Sequence, residues 1–329
     1  MSEAFYIKTS CFTRPEFNPA WNNVPLVFGQ YSFFTYPIFK ETTLENNLIL
    51  KPSELVSYIG PVFELNVTKR HTMAYAACLN DLLPIYFDDV THPKLEIHPL
   101  FPVCCEWPAL LDFFHENNLP MHRMVHATHD LHIYQALSLG QSYFTTAEVI
   151  SLEQRKPGVY LTWKLKTVDA DGTLVSETWQ GNLFLGAKSE DCSAFPQIAP
   201  STPKFSSPLV GTQVASLEIS GGFAHTYTEC ARIWNPIHTE KSAALLGNMA
   251  EPLLHGTATL ALAVSEIVKS TLNSDPEKIR RIGCRFSRPV IAPTDLRIET
   301  LETEEKVIMF QILSQKGDVV LRDGFVEHK

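Results

Sequence analysis

The chain has 329 residues, 45% of them apolar and 19% charged, with a formal net charge of −9. That length supports two domains of ordinary size. The acidic balance argues against nonspecific nucleic-acid binding, and no apolar run is long enough to span a membrane. Seven cysteines at irregular spacings, with no Cys-x-x-Cys pair, give no zinc framework. The opening residues lack the charged and apolar regions of a signal peptide, so reduced thiols and a cytoplasmic location are expected.

Residues 1–50 carry too many aromatics for a disordered tail and read as an ordered N-terminal extension. A first half, 51–190, follows, with sheet strands expected at 128–150, 158–168 and 173–185. This half contains a repeat: Tyr75 aligns with Tyr227, Asp81 with Ile233, Pro84 with Pro236 and Tyr86 with His238, each pair 152 residues apart. Gly172 also aligns with Gly317, each as the tight turn of a strand–turn–strand unit. The halves differ by insertions, and the largest is placed between Tyr86 and His126, set against the short run from His238 to His255. His122, His126, His129 and His132 recur every three or four residues. The segment reads as strand, where that spacing does not gather side chains on one face, so no metal site is expected.

Ser, Ala and Pro dominate 187–210, and a linker is set at 191–210. The second half, 211–329, has a helix from Gly256 to Leu272 that is apolar nearly all round, hence buried, and strands near 282–290, 295–302, 306–314 and 318–327. This order of elements suits an α+β fold with a helix against an antiparallel sheet. Before the helix stands Trp234-Asn235-Pro236-Ile237-His238, and at its start Pro252-Leu253-Leu254-His255-Gly256. An imidazole on a proline-fixed loop can move a proton near neutral pH. The unpaired N–H groups of a helix start can hold a developing oxyanion. Downstream comes Arg285-Phe286-Ser287-Arg288-Pro289-Val290, then Pro293 and Asp295.

These three motifs together resemble the MaoC-like family of (R)-specific enoyl-thioester hydratases and dehydratases, and the resemblance covers most of 205–329. It implies a double hotdog: two fused domains, each a central helix wrapped by an antiparallel sheet, the first with a degenerate site. It implies a lyase acting on an enoyl or 3-hydroxyacyl group bound to CoA or an acyl-carrier protein, and no metal or redox cofactor; the two halves could satisfy each other internally or still form a homodimer. His238 would move the proton, Asn235 would hold its loop, and the Gly256 N–H would support the thioester oxygen. Trp234 and Arg232 flank the loop as candidate substrate-binding residues. Lys278, Arg280, Arg281, Arg285 and Arg288 form a basic cluster suited to CoA phosphates or to a carrier protein, or else a solvated strand edge.

One residue departs from the family pattern. An aspartate stands two positions before the asparagine in the family, and here that place is Ile233. Isoleucine can neither donate nor accept a proton. The replacement acids are Glu229, one helical turn earlier, and Asp81, aligned with Ile233 in the first half. Three readings stay open: a hydratase or dehydratase, an isomerase or cyclase acting on a polyketide-like or other natural-product intermediate, and a non-catalytic acyl-binding protein.

Overall fold

The computed structural model describes residues 26–27, 48–190, 194, 197–203 and 211–329. The expected extension, 1–50, and linker, 191–210, fall largely outside these residues. In chain order the first part holds β1 (Leu26–Val27), β2 (Ile49–Leu50), α1 (Pro52–Leu55), β3 (Val62–Asn66), α2 (Lys69–Cys78), α3 (Pro84–Phe87) and α4 (Pro102–Glu116). Then come β4 (Met124–Ile133), β5 (Ser142–Gln154), β6 (Gly158–Val168), β7 (Leu174–Leu185) and β8 (Lys188–Ser189). The second part holds β9 (Thr212–Ile219), α5 (Phe223–Ala231), a 3-10 turn Pro236–His238, α6 (Lys241–Leu246) and α7 (Gly256–Thr271). It ends with β10 (Ile279–Phe286), β11 (Thr294–Glu304), β12 (Val307–Ser314) and β13 (Val319–His328).

One eleven-stranded sheet runs β1-β3-β5-β6-β7-β4-β10-β13-β12-β11-β9, and β2 and β8 form a separate two-stranded pair. Apart from β1, the order reads the same from either end: β3, β5, β6, β7 and β4 in one half match β9, β11, β12, β13 and β10 in the other. The halves meet where β4 pairs antiparallel with β10, Leu131 opposite Ile282. Arg281 on β10 closes that seam, donating through Nε and Nη2 to the two carboxylate oxygens of Asp130 on β4 at 2.7 and 2.8 Å. The turn glycines Gly172 and Gly317 both lie at positive φ, 81° and 82°, which a side chain would strain.

Each half wraps one long helix. α7 is buried nearly all round, from Ala258 and Leu260 to Ile267 and Val268, as an uninterrupted apolar run requires. α4 starts on Pro102, where a missing N–H costs nothing, and buries Val103, Trp107, Leu110, Phe113 and Phe114. Phe113 meets Trp163 of β6 edge-on at 4.3 Å between ring centroids. α2 packs against α5, and the repeat partners Tyr75 and Tyr227 touch there, hydroxyl to hydroxyl at 3.4 Å.

Two expectations need correction. The run 128–150 is not one sheet segment: β4 and β5 are separated in the sheet by β7 and β6, and a loop through Gly140 at φ 77° divides them. Nor is His126 the counterpart of His255. His98 holds that place, ahead of α4, with its ring 5.4 Å from Tyr75 and 6.1 Å from Tyr86. His255 sits likewise 4.9 Å from Tyr227 and 3.7 Å from His238. The large insertion therefore lies elsewhere, because α4 starts soon after Tyr86 instead of after His126.

Candidate active site

Asn235 begins the site. Its backbone is extended, and its side-chain oxygen accepts from the Ile237 N–H at 3.3 Å, capping the turn Pro236–His238. Pro236 fixes the first turn position and so sets the direction of His238. His238 Nδ1 donates to the Leu253 carbonyl at 2.8 Å, which leaves Nε2 as the unprotonated nitrogen. Burial pushes the imidazole down to about 4, so it is neutral across the physiological range.

His255 lies stacked on His238, 26° from coplanar. Its Nε2 contacts Thr228 Oγ1 at 3.1 Å and donates to the Ile233 carbonyl at 3.3 Å. Burial first, then His238, hold it neutral too. Directly after it, Gly256 is the first residue of α7, where the amide has no acceptor within the helix. A Cβ on Gly256 would come within 3.1–3.2 Å of the Phe286 ring, so glycine is needed for that close approach. Phe286 belongs to the Arg285–Val290 motif, which thus folds over the helix start.

A cavity of about 310 Å³ opens before these groups, lined in the second half by Ile233, Asn235, His238, His255, Gly256 and Phe286. Its other wall comes from the first half, from α4, β4 and β7: Glu106, Trp107, Leu110, His126, Gln180 and Asn182. Glu106 is the one carboxylate among the described lining residues. It is 2% exposed and accepts from the Thr178 hydroxyl. Burial pushes its carboxyl up to about 7, against the smaller opposing effect of the Thr178 bond. The repeat and the motifs gave no pointer to it. The available signal was β7 itself, where Ser176, Thr178, Gln180 and Asn182 alternate as polar residues and are all buried.

The structure brings together His238, Asn235 and Gly256, and moves the other candidates away. Arg232 ends α5 in the left-handed region at φ 57° and stands off the cavity, where after burial its charge is the next cause lowering His71. Glu229 is exposed on α5, one turn too early to reach inward. Trp234 does not line the cavity either, since alternate residues of this extended stretch, Ile233 and Asn235, face it. Asp81 is fully buried but faces the far end of α7, with Lys269 Nζ at 3.4 Å and His98 Nε2 at 4.0 Å. It belongs to the first half's counterpart of the loop, away from His238. Of the basic cluster only Arg288 borders the cavity. No His/Cys/Asp/Glu cluster able to hold a metal, and no helix long and apolar enough to cross a membrane, occurs among the described residues.

Residues 215–323 match the model of the MaoC like domain. The peroxisomal multifunctional enzyme type 2 of Drosophila melanogaster is 21% identical over 211 residues, 63% of this chain and 34% of that protein. The peroxisomal enoyl-CoA hydratase 2 of Arabidopsis thaliana is 28% identical over 94 residues, 29% of this chain and 30% of that protein. The chain thus spans about a third of the length of these curated relatives. A MaoC-like dehydratase from Phytophthora capsici superposes with a TM-score of 0.73 at 16% identity, covering 84% of this chain and 96% of that one. A Mycobacterium tuberculosis protein described as a double hotdog superposes at 0.53 and 14% identity, covering 84% and 96%. Residues 215–323 thus match the MaoC like domain, and the fold that holds them is the double hotdog.

Proposed function

We propose that this protein is a hydro-lyase that interconverts a trans-2-enoyl thioester and its 3-hydroxyacyl thioester, carried on CoA or an acyl-carrier protein. The observation that carries the reading is the pairing of a neutral, Nδ1-anchored His238 with the free amide at the start of α7, on one cavity. In hydration, His238 Nε2 takes a proton from water as its oxygen bonds to C3. The double-bond electrons pass to the thioester oxygen, and the Gly256 N–H supports that enolate. The imidazolium then returns its proton to C2. Dehydration runs the same steps backwards, with water leaving C3. Names of the relatives, an enoyl-CoA hydratase and a peroxisomal multifunctional enzyme, support the thioester class.

Ile233 favours a second reading. It is 6% exposed and presents hydrocarbon where the family pattern has a water-holding acid. A base with an oxyanion donor but no such acid suits double-bond isomerisation, in which His238 carries one proton between two carbons and no water enters. Mass spectrometry after incubation with (R)-3-hydroxyacyl-CoA and trans-2-enoyl-CoA separates the two. A change of one water, lost in His238→Ala, is the expected result. A product of unchanged mass with a shifted double bond would establish the isomerase instead, and acyl-CoA binding with no chemistry on any chain would leave an acyl-binding protein.

A further inference from the structure

The cavity wall from the first half is polar where a hydrocarbon tail would want it apolar. Thr178, Gln180 and Asn182 share one face of β7, with exposures of 0%, 6% and 0%. Over four residues that face extends about 13 Å. At one end Asn182 is the register partner of His126, which lines the same cavity as His238. At the other Thr178 holds Glu106.

Two buried side-chain donors of this wall have no partner among the described residues. Asn182 Oδ1 is taken by Gln180 Nε2 at 2.9 Å, and Asn182 Nδ2 has no partner among the described residues. The indole N–H of Trp107 on α4, which lines the same cavity, is buried and unpartnered as well. Both spare groups are donors, so an occupant that satisfies them must bring acceptors. A buried donor left unpaired costs about 1–3 kcal/mol.

We infer that the acyl group taken by this cavity is oxygenated along its length, bearing a ketone or hydroxyl beyond the thioester that accepts from Asn182 Nδ2 and Trp107 Nε1. The inference rests on the acyl-thioester reading and narrows its substrate class from plain fatty chains to polyketide-like ones. The polar wall then acts as a ruler, holding a distal oxygen while C2 and C3 lie at His238.

Calorimetric titration with saturated acyl-CoAs of one medium length tests this, one plain and a set with a keto group at successive positions in the distal half. None of them can be dehydrated, so binding is read apart from turnover. The expected result is that at least one keto chain binds the wild type about tenfold or more tighter than the plain chain. In Asn182→Leu that ratio falls to within about twofold, by loosening of the keto chain while the plain chain binds as before. Trp107→Phe, which removes only the N–H, lowers the ratio in the same direction and serves if the Asn182 variant does not fold. A wild-type ratio near one for every keto position overturns the inference and leaves the thioester reading intact. Binding of neither kind of chain overturns both.

Discussion

At the residue scale the site depends on which nitrogen of His238 is free. The Leu253 carbonyl holds Nδ1–H, and burial keeps the ring neutral with Nε2 bare. Replacing it with alanine should lower kcat/KM by about 10²–10⁴, the usual worth of a general acid–base group, with little change in thermal midpoint. Since the neutral ring is the working form, activity should hold down to about pH 4 and fall below it. Initial rates after a rapid pH jump would show this limb. A limb near 6.5 would mean that the ring is solvated and the geometry wrong. Gly256→Ala is a gentler probe. The added methyl meets the Phe286 ring edge at 3.1–3.2 Å, so the ring or the helix start must shift a few tenths of an ångström. Misplacing an oxyanion donor in this way should cost roughly tenfold to a hundredfold in kcat, with a smaller change in KM. An unchanged kcat would remove the Gly256 amide from the mechanism.

At the element scale the half that carries the His238 loop was legible and the opposite wall was not. The capped loop and the helix start are local devices: Asn, Pro, His and Gly each act on backbone within a few residues, so their order in the chain carries the geometry. The turns at Gly172 and Gly317 were legible for the same reason. The wall made by α4 and β7 depends on packing between distant elements. Nothing near Glu106 in the chain says that Thr178 will meet it, and the alternating polar run of β7 was read only as strand. His126 was mistaken for the partner of His255 because spacing along the chain hides where α4 begins. Glu106 yields its own test. Its carboxyl is raised to about 7 by burial, so above that pH the folded state holds a buried charge that the unfolded state, near 4.5, carries in water. Glu106→Gln keeps an acceptor for Thr178 and removes the charge. It should raise stability by roughly 1–3 kcal/mol at pH 8 and by little at pH 5, where the wild-type acid is already protonated. Denaturant midpoints at the two pH values decide it. Equal gains at both would mean that the effect is packing, not charge.

At the scale of the whole molecule, six imidazoles among the described residues are shifted well down by burial. His71, His129 and His238 are lowered to about 4 and His98 to about 3, each first by burial, and His126 and His255 fall well below 6.5 for the same cause. The sign of the linkage follows. Unfolded, these rings take protons as pH falls through 6.5, whereas folded His71, His129 and His238 stay neutral until about 4, His98 until about 3, and His126 and His255 until well below 6.5. The unfolded state therefore binds more protons between those values, and stability is lost as pH falls. Glu106 opposes this: burial raises its carboxyl to about 7, so the folded state takes up its proton first and gains, and burial raises Asp81 in the same direction. Asp130 is outside the contest. Burial alone would raise it, but the bonds from Arg281 and His132 outweigh burial and hold it below 3.8, so its contribution is lost only at lower pH. Six histidines against the one acid raised to about 7 leave the unfolded state binding more protons over this range, worth on the order of 5 kcal/mol between pH 7 and 5.5. That is a large share of the 5–15 kcal/mol typical of a domain. The protein should therefore lose much of its stability over this mildly acid range, and Glu106→Gln should steepen the loss by removing one opposing group. Urea midpoints at pH 7.5, 6.5 and 5.5 would show both effects. A flat profile would mean that the imidazoles are hydrated in the folded state, and the neutral His238 on which the catalytic reading depends would fall with it.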